Sequence, residues 1–472
     1  MLGIANAIDY AIQFVLPIVL VRSLDSAQFG EYRLLWLMVN TIMAFAPLYM
    51  PQSLFYFLPR VKVQTGRYVA NVIWYLFLAG VIAACIAGPW NPLLPSTVRE
   101  LPGGGDVILV FIIFWVASCL LEWLANAEGR VQAQSAIIIT LAVLRALIVG
   151  GVAASTGDVW WVFVALAAFA GVKLAILFSQ ILTRYGITAL IPDRNIAAVQ
   201  IAYAVPFGIA GALYGLRQQA DQWIVATLFK VEIFALFSIA GVVAPLAGLI
   251  RQSVASAILP EMNRMHGRGD LASVLSLNRM GNSLVALLLL PVLAFLFASA
   301  EDVIAVVYTP RFVDAADPMR VYLVGLAAQV LVVNNLLITL AQGRFQLRLN
   351  TAFLAISVVA SLIGAHTFGI TGAAAGSAIA QYGSHLASIR KVAHCTGVRY
   401  REILDWRTIL HFFVISIFAA LCGEIVVKVT AFTTPIARTL TSAATFALLW
   451  LPLIVSSSAG RELISIIRRR QK

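Results

Sequence analysis

Acidic and basic side chains lie inside the long apolar runs of this 472-residue sequence, where lipid would normally exclude them. They are Asp9, Glu122, Arg145, Lys173, Arg251 and Glu424. A charged group at the centre of a membrane helix costs about 2.5–3.5 kcal/mol, so we expect these side chains to face protein or water. Arg145, Lys173 and Arg251 belong to three separate runs. If they line one cavity, it is cationic and suits phosphate or carboxylate, because a guanidinium matches phosphate oxygens.

The opposite interpretation pairs these charges within the protein. Arg145 would then pair with Glu122 or Asp9, and Lys173 would extend its amine to the membrane interface. Asp9 and Glu122 would carry a coupling proton or hold the basic groups in place. The sequence leaves both interpretations open.

A second set of charges lies near the outer end of the seventh apolar run. Arg217 and Asp221 are four residues apart, a spacing at which helical side chains meet and can neutralise one another. Arg217 is a further candidate cation at the outer mouth of the cavity, and Asp221 is a candidate charge-balancing group.

The composition determines which elements must position these charges. Apolar residues make up 61% of the chain and charged residues 11%, against about 25% charged in ordinary soluble domains. Apolar runs of the length that crosses a bilayer recur throughout. Backbone groups in lipid must be satisfied within the element, and uninterrupted apolar runs favour helices over barrel strands. We therefore predict an all-α polytopic membrane protein with about 14 transmembrane helices.

The predicted spans are residues 3–21, 34–58, 68–88, 107–125, 135–154, 160–182, 198–216, 222–250 (broken), 280–300, 319–342, 350–368, 372–390, 408–427 and 439–458. The seventh and eighth have an alternative division. In it, residues 198–229 form one long helix and residues 233–259 form the next. Both divisions give fourteen helices.

The loops on the side of the N-terminus hold most of the 33 lysine and arginine residues. Because basic loops stay in the cytoplasm, we predict that both termini are cytoplasmic. The net charge of +12 is then a topology signal and no indication of nucleic-acid binding. The basic tail around residues 468–470 is expected to anchor the last helix against anionic lipid.

An internal repeat is indicated by short matches about two hundred residues apart. Glu31, residues 51–53 and residues 58–60 correspond to Glu232, residues 251–253 and residues 259–261. We predict two pseudo-repeated six-helix bundles around a central cavity, followed by two additional helices, since repeated halves commonly build transporters. The expected boundaries are 1–197 for the first bundle, 198–392 for the second, and 393–472 for the two additional helices with the basic tail.

Motifs for catalysis, metal binding and nucleotide binding are missing from the sequence. The glycine run at residues 103–105 lacks the Lys-Ser/Thr of a P-loop, and the histidines form neither HExxH nor a cluster. The four cysteines make no CxxC pair. We predict a transporter with no catalytic residue, no metal and no cofactor.

The segment from Val19 to Tyr32, VLVRSLDSAQFGEY, carries a family resemblance. It resembles the joint after the first helix of polysaccharide-biosynthesis flippases of the Wzx type. These belong to the superfamily that also holds multidrug-and-toxin extruders and the lipid II flippase. Asp221, which precedes an apolar run, and the Pro260–Glu261 pair resemble features of the second half of that family.

The resemblance implies a V-shaped cavity between two bundles that opens alternately to each side of the bacterial inner membrane. Its implied cargo is an undecaprenyl-diphosphate-linked oligosaccharide, with Arg145, Lys173 and Arg251 contacting diphosphate or acidic sugars. Membrane lipids surround such a protein, glycan polymerase or synthase components are potential partners, and a monomer is expected.

Three other functions are alternatives to the flippase that the resemblance implies. A cation-coupled multidrug exporter of the same superfamily needs acidic groups such as Asp9, but the excess of basic groups in the spans argues against it. A membrane glycan polymerase or ligase needs a larger outer loop with catalytic residues. The third rival is a non-transporting membrane subunit of a polysaccharide synthase complex, and the sequence does not discriminate it from a flippase.

Overall fold

The computed structural model describes residues 2–60, 64–102, 105–187, 191–430, 432–457 and 461, without the side chains of residues 2, 4, 6 and 7. Within these ranges the chain is helical and has no β-strand. The predicted basic tail at residues 468–470 lies outside the described residues. The predicted all-α fold class is confirmed.

Ten α-helices precede residue 230 in the described part of the chain. They are α1 (Leu2–Ser23), α2 (Ser26–Phe45), α3 (Met50–Phe57), α4 (Thr65–Ala87), α5 (Ser96–Arg99), α6 (Asp106–Ser118), α7 (Leu124–Ala127), α8 (Val131–Thr156), α9 (Val159–Tyr185) and α10 (Arg194–Leu228). A 3₁₀ turn, Cys119–Glu122, joins α6 to the segment before α7.

The described part of the chain contains ten more α-helices. They are α11 (Val231–Ala240), α12 (Ala244–Gly267), α13 (Leu271–Ala298), α14 (Ala300–Val307), α15 (Ala316–Ala327), α16 (Asn334–Thr339), α17 (Gly343–Thr396), α18 (Tyr400–Ile403), α19 (Trp406–Thr430) and α20 (Pro435–Ser456). The 3₁₀ turns in this part are Gly241–Val243, Pro310–Ala315 and Ala328–Leu331.

Twelve helical segments of the described chain are long and apolar enough to cross a membrane. One of them, α17, contains non-helical backbone at Phe368 and Gly369 and therefore consists of two helices. Helix α1, with 22 residues, is also long enough to span the hydrocarbon core. These helices account for the predicted fourteen, and the chain is a multi-pass membrane protein.

Aspartate side chains mark the beginnings of several long helices. Asp25, Asp158, Asp193 and Asp270 precede α2, α9, α10 and α13, and each accepts a hydrogen bond from a backbone N–H of the first turn. The first N–H groups of a helix lack intrahelical partners, and a short polar side chain at the N-cap satisfies them. Polar residues between apolar runs thus set where these helices begin.

The alternative division of the seventh and eighth spans is the observed one. Helix α10 runs from Arg194 to Leu228 without a break, although it contains Pro206. The next span, Val231–Gly267, is interrupted by the 3₁₀ turn Gly241–Val243. The prediction of separate spans at residues 198–216 and 222–250 is therefore wrong.

The chain divides into two compact units, Met1–Ser238 and Ile239–Lys472. The division falls later than the predicted bundle boundary at residue 197, because α10 packs against α2, α3 and α4 of the first unit. Within that unit, α1 also packs on α8, and α6 packs on both α4 and α9. The two-bundle repeat with boundaries at 197 and 392 stays a prediction.

The second unit has its own apolar core. Helix α13 packs against α12 and α19, α15 packs against α17, and α19 against α20. Buried side chains of α12, α13, α16, α17 and α18 meet in one cluster that includes Met262, Val274, Leu336, Val392 and Ile403. This cluster joins the short helices α16 and α18 to the long ones.

Candidate functional site

An ion pair between α9 and the 3₁₀ turn after α6 lies within the first unit. Lys173 Nζ donates to Glu122 Oε1 at 2.7 Å. The lysine side chain is 2% exposed and the glutamate side chain is 45% exposed. The expectation that Lys173 reaches a membrane interface is wrong, because its amine ends on a carboxylate inside the unit.

A second ion pair joins α8 to α1. Arg145 Nη2 donates to Asp9 Oδ1 at 3.2 Å, and Gln13 Nε2 donates to the other carboxylate oxygen of Asp9 at 2.7 Å. The Arg145–Asp9 contact is a single bond at the long end of the hydrogen-bond range. Arg145 Nε is buried and has no hydrogen-bond partner among the described residues. The guanidinium therefore keeps unused capacity for an anion.

Two tryptophans connect the ion pairs. Lys173 Nζ lies 4.2 Å from the centroid of the Trp115 ring, and the Arg145 guanidinium lies 6.0 Å from that of Trp36. The two tryptophan rings meet edge to face at 5.3 Å. Each cation thus has a carboxylate and an aromatic ring as neighbours, and ring faces attract cations.

We call Asp9, Glu122, Arg145 and Lys173 the charged cluster. Asp9 interacts electrostatically with both Glu122 and Lys173, so the two ion pairs belong to one group of interacting charges. The interpretation that pairs Arg145 with Asp9 describes the structure, and the cluster contains equal numbers of acidic and basic groups. Its part in substrate binding stays a prediction.

The backbone around Glu122 explains how the carboxylate reaches Lys173. Helix α6 ends at Ser118, the chain tightens into the 3₁₀ turn Cys119–Glu122, and Trp123 leaves helical geometry at φ −122°. Short 3₁₀ segments often end α-helices and turn their side chains in a new direction. The sequence showed a continuous apolar run here, so this turn and the tryptophan contacts were missed.

Arg217 and Asp221 lie on α10, as predicted. The Arg217 guanidinium lies 5.7 Å from the centroid of the Tyr214 ring and has no carboxylate within salt-bridge distance among the described residues. Asp221 is buried and accepts a hydrogen bond from the backbone N–H of Gln222 at 2.8 Å. The expected neutralisation of Arg217 by Asp221 is therefore not observed.

Arg251 belongs to the second unit and is only 6% exposed. Its Nη1 donates to Asn282 Oδ1 at 2.9 Å, and its Nη2 donates to the Val332 carbonyl at 2.8 Å. Asn282 Nδ2 donates to the same carbonyl at 3.1 Å. Arg251 thus joins α12 to α13 and to the backbone after the turn Ala328–Leu331. The remaining span acid, Glu424, pairs with Lys428 at 3.8 Å one turn along α19.

Solved structures with the same arrangement of helices identify the fold. The chain superposes on an inward closed lipid II flippase MurJ with a TM-score of 0.71, over 98% of this chain and 99% of the other, at 13% identity. An inward-facing multidrug resistance MATE transporter of the MOP superfamily superposes with a TM-score of 0.58, over 84% of this chain and 96% of the other, at 13% identity. The chain has the fold of the MOP-superfamily transporters.

A third MOP-superfamily structure, from Pyrococcus furiosus Vc1, gives a TM-score of 0.58 over 84% of this chain and 94% of the other, at 13% identity. It is described as having a binding pocket of reversed polarity that suggests a different function. Neither the models of protein families nor the sequences of curated proteins match this chain. At 13% identity the likeness describes the fold, and a flippase of the Wzx type stays a prediction.

Proposed function

We propose that this protein is a flippase for an undecaprenyl-diphosphate-linked oligosaccharide. In this proposal it lies in the bacterial inner membrane with both termini in the cytoplasm, and works as a monomer by alternating access. The O-antigen, capsule or exopolysaccharide repeat unit moves from the cytoplasmic to the periplasmic leaflet. The observation that carries the proposal is the weakly held guanidinium of Arg145.

Arg145 is suited to exchange one anion for another. Its contact with Asp9 is a single 3.2 Å bond, whereas charge-assisted pairs are commonly bidentate at about 2.7–2.9 Å. Asp9 also keeps its hydrogen bond from Gln13, so its carboxylate remains partnered when the arginine turns away. A diphosphate offers several oxygens to one guanidinium and can replace Asp9 on Arg145.

Lys173 and Arg217 are the next proposed contacts. Lys173 is held by Glu122, whose half-exposed carboxylate can be solvated when the amine changes partner. Arg217 has an aromatic neighbour and no salt bridge among the described residues. Arg251 would contact an anion only after giving up its bonds to Asn282 and Val332, so we assign it the positioning of α12 and α13.

The charge of the cargo agrees with transport toward the periplasm. The cytoplasm is electrically negative, and outward movement of an anion is favoured by about 2.3 kcal/mol per charge per 100 mV. A polar path for the head group is the main requirement, since the polyprenyl tail can stay in lipid. The likeness over 98% of the chain to a lipid II flippase, against 84% for the multidrug transporters, supports a lipid-linked cargo.

A second candidate is a cation-coupled multidrug exporter. The observation in its favour is the exposure of the acidic partners, 45% for Glu122 and 29% for Asp9, against 2% and 13% for their basic partners. Exposed carboxylates suit a cationic drug or a coupling proton. The two candidates predict opposite consequences for Arg145, because removing it would leave Asp9 more available to cations.

The decisive experiment measures transport by the purified protein in liposomes, which also tests whether it works without a synthase complex. We expect movement of a polyprenyl-diphosphate oligosaccharide and no movement of a cationic dye. Arg145→Gln should slow transport by about ten- to hundred-fold, because a hydrogen bond to a charged group contributes about 1.5–3 kcal/mol. Arg145→Lys should keep part of the rate.

Arg99→Gln is the matched control, because it removes one exposed positive charge from the same unit and leaves the charged cluster intact. It should transport at the wild-type rate. Wild-type transport by Arg145→Gln, or dye transport without oligosaccharide transport, would overturn the proposed function.

A further inference from the structure

The second unit contains a cavity of about 1030 Å³ that belongs to neither ion pair and to no predicted site residue. It lies between the last turn of α12, the first half of α13, and the joint from α18 to the start of α19. Both α13 and α19 are spans that begin at this end of the unit. The cavity therefore opens where these spans meet the membrane interface.

Basic side chains dominate the charge of this cavity. Arg279, Arg401 and Arg407 line it, and none of them forms a salt bridge with a described residue. Asp405 is the acidic lining residue, and its carboxylate accepts the backbone N–H of Thr408 at 3.1 Å and the hydroxyl of Thr408 at 2.7 Å. Because Asp405 is engaged at the first turn of its own helix, the three arginines remain available for an anion.

The rest of the wall is divided between hydroxyl and apolar groups. Ser273, Ser276 and Ser283 lie at positions i, i+3 and i+10 of α13 and share one helical face. Leu277 and Leu404 supply apolar surface beside them. Hydroxyl groups and guanidinium groups bind phosphate oxygens, whereas the apolar side chains suit a glycerol ester or the beginning of an acyl chain.

The joint opposite α13 is fixed in place by the core. Asn278 Nδ2 donates to the Ile403 carbonyl at 3.2 Å, which ties α13 to the end of α18. Ile403 and Leu404 are fully buried in the apolar cluster of the second unit. The arginines on either side of these two residues therefore project from a rigid base, which reduces the entropy lost on binding.

We infer that this cavity binds the phosphate head group of an anionic phospholipid from the surrounding leaflet. Basic pockets between membrane helices bind anionic head groups, and the loop charges predict that this end of the helices is cytoplasmic. The apolar wall favours a lipid over free phosphate, because free phosphate would leave that wall in contact with water. The site is lined by the second unit alone and does not depend on the proposed flippase activity.

The test measures lipid retained by the intact protein. Protein purified in detergent is titrated with phosphatidylglycerol or phosphatidylcholine, and bound lipid is counted by native mass spectrometry. We expect preferential retention of phosphatidylglycerol and little competition from millimolar inorganic phosphate. Arg279→Gln, Arg401→Gln and Arg407→Gln together should weaken phosphatidylglycerol binding about tenfold or more, since each removes a charged hydrogen-bond donor.

Arg344, Arg348 and Arg399 provide the matched control, because they are exposed and lie outside the cavity on the same predicted membrane side. Replacing these three with Gln removes the same charge and should leave lipid binding within about twofold of wild type. If the triple cavity variant fails to fold, the double variant of the exposed Arg401 and Arg407 takes its place. The inference would be overturned if the cavity and control variants retained equal amounts of phosphatidylglycerol. It would also be overturned if millimolar inorganic phosphate displaced the lipid.

Discussion

Lys173 Nζ lies 2.7 Å from Glu122 Oε1, and the lysine side chain is buried while the glutamate side chain is nearly half exposed. This asymmetry decides which partner can be removed. Without Glu122, the buried ammonium loses its ion pair and keeps the Trp115 ring and the more distant charge of Asp9. Without Lys173, the half-exposed carboxylate is free to turn to another polar group.

We therefore predict that Glu122→Gln destabilises the protein more than Lys173→Met. An uncompensated buried charge costs about 3 kcal/mol or more, whereas methionine fills the volume of lysine against Trp115 without a charge. The double variant should be more stable than Glu122→Gln alone. Thermal unfolding of the four proteins in one detergent measures this, and equal melting temperatures for the two single variants would contradict it.

The sequence predicted this cluster in part. Charged residues in apolar runs are conspicuous, and Asp9, Glu122, Arg145 and Lys173 all stand out for that reason. Their pairing was not predictable, because it depends on which helices pack together and on the 3₁₀ turn that redirects Glu122. The tryptophans were missed since an aromatic residue in an apolar run looks the same whether it faces lipid or a cation.

The fold was predictable to a greater extent than the site. The length of the apolar runs predicts most of the spans, and the separation of residues 350–368 from 372–390 matches the break at Phe368 and Gly369. The interruption between α2 and α3 was missed. Leu48 and Tyr49 adopt positive φ there, and neither residue type announces that conformation.

A close approach between the beginnings of α2 and α11 gives a second prediction. A Cβ atom on Gly30 would lie 2.3 Å from the Val231 carbonyl oxygen and 2.8 Å from its Cγ2. Gly30→Ala should destabilise the first unit, because an overpacked contact costs about 1–3 kcal/mol and exceeds the helix propensity gained, about 1 kcal/mol. The melting temperature measures the effect.

Gly151 serves as its control, since a Cβ there would meet no atom within 4 Å. Gly151 lies inside α8, five residues before its end, and Gly151→Ala should melt at or slightly above the wild-type temperature. If Gly30→Ala is as stable as Gly151→Ala, the backbone of α2 at Gly30 does not lie directly against Val231.

Arg251 provides the third prediction, which separates a positioning role from direct substrate contact. Arg251→Lys keeps the charge but cannot bond to both Asn282 and the Val332 carbonyl with a planar fork. We expect it to lose about 1.5–3 kcal/mol of stability, the contribution of one hydrogen bond to a charged group. The melting temperature and the transport rate should decline together. A variant with wild-type stability and no transport would instead assign Arg251 to the substrate.

Asp193 gives a prediction about pH. Its carboxylate accepts hydrogen bonds from the N–H groups of Ile196 and Asn195 at 3.2 and 3.0 Å and from Arg67 Nη1 at 2.9 Å. The bond from Ile196, with those from Asn195 and Arg67, holds the pKa of Asp193 below its usual 3.8.

Because the pKa of Asp193 is depressed in the folded state, its charge stabilises the fold at pH values above the pKa of the unfolded chain. This stabilisation is lost as the pH falls through the folded-state pKa. Asp193→Asn keeps a capping side chain but carries no charge, so wild type should melt higher near neutral pH, and the difference should begin to shrink as the pH falls below about 4 and continue to shrink through the folded-state pKa. Melting curves between pH 7 and 3 measure this, with Asp314→Asn as a control that also removes one carboxylate, at an exposed position. A difference for Asp193→Asn that is independent of pH would exclude a contribution from its charge.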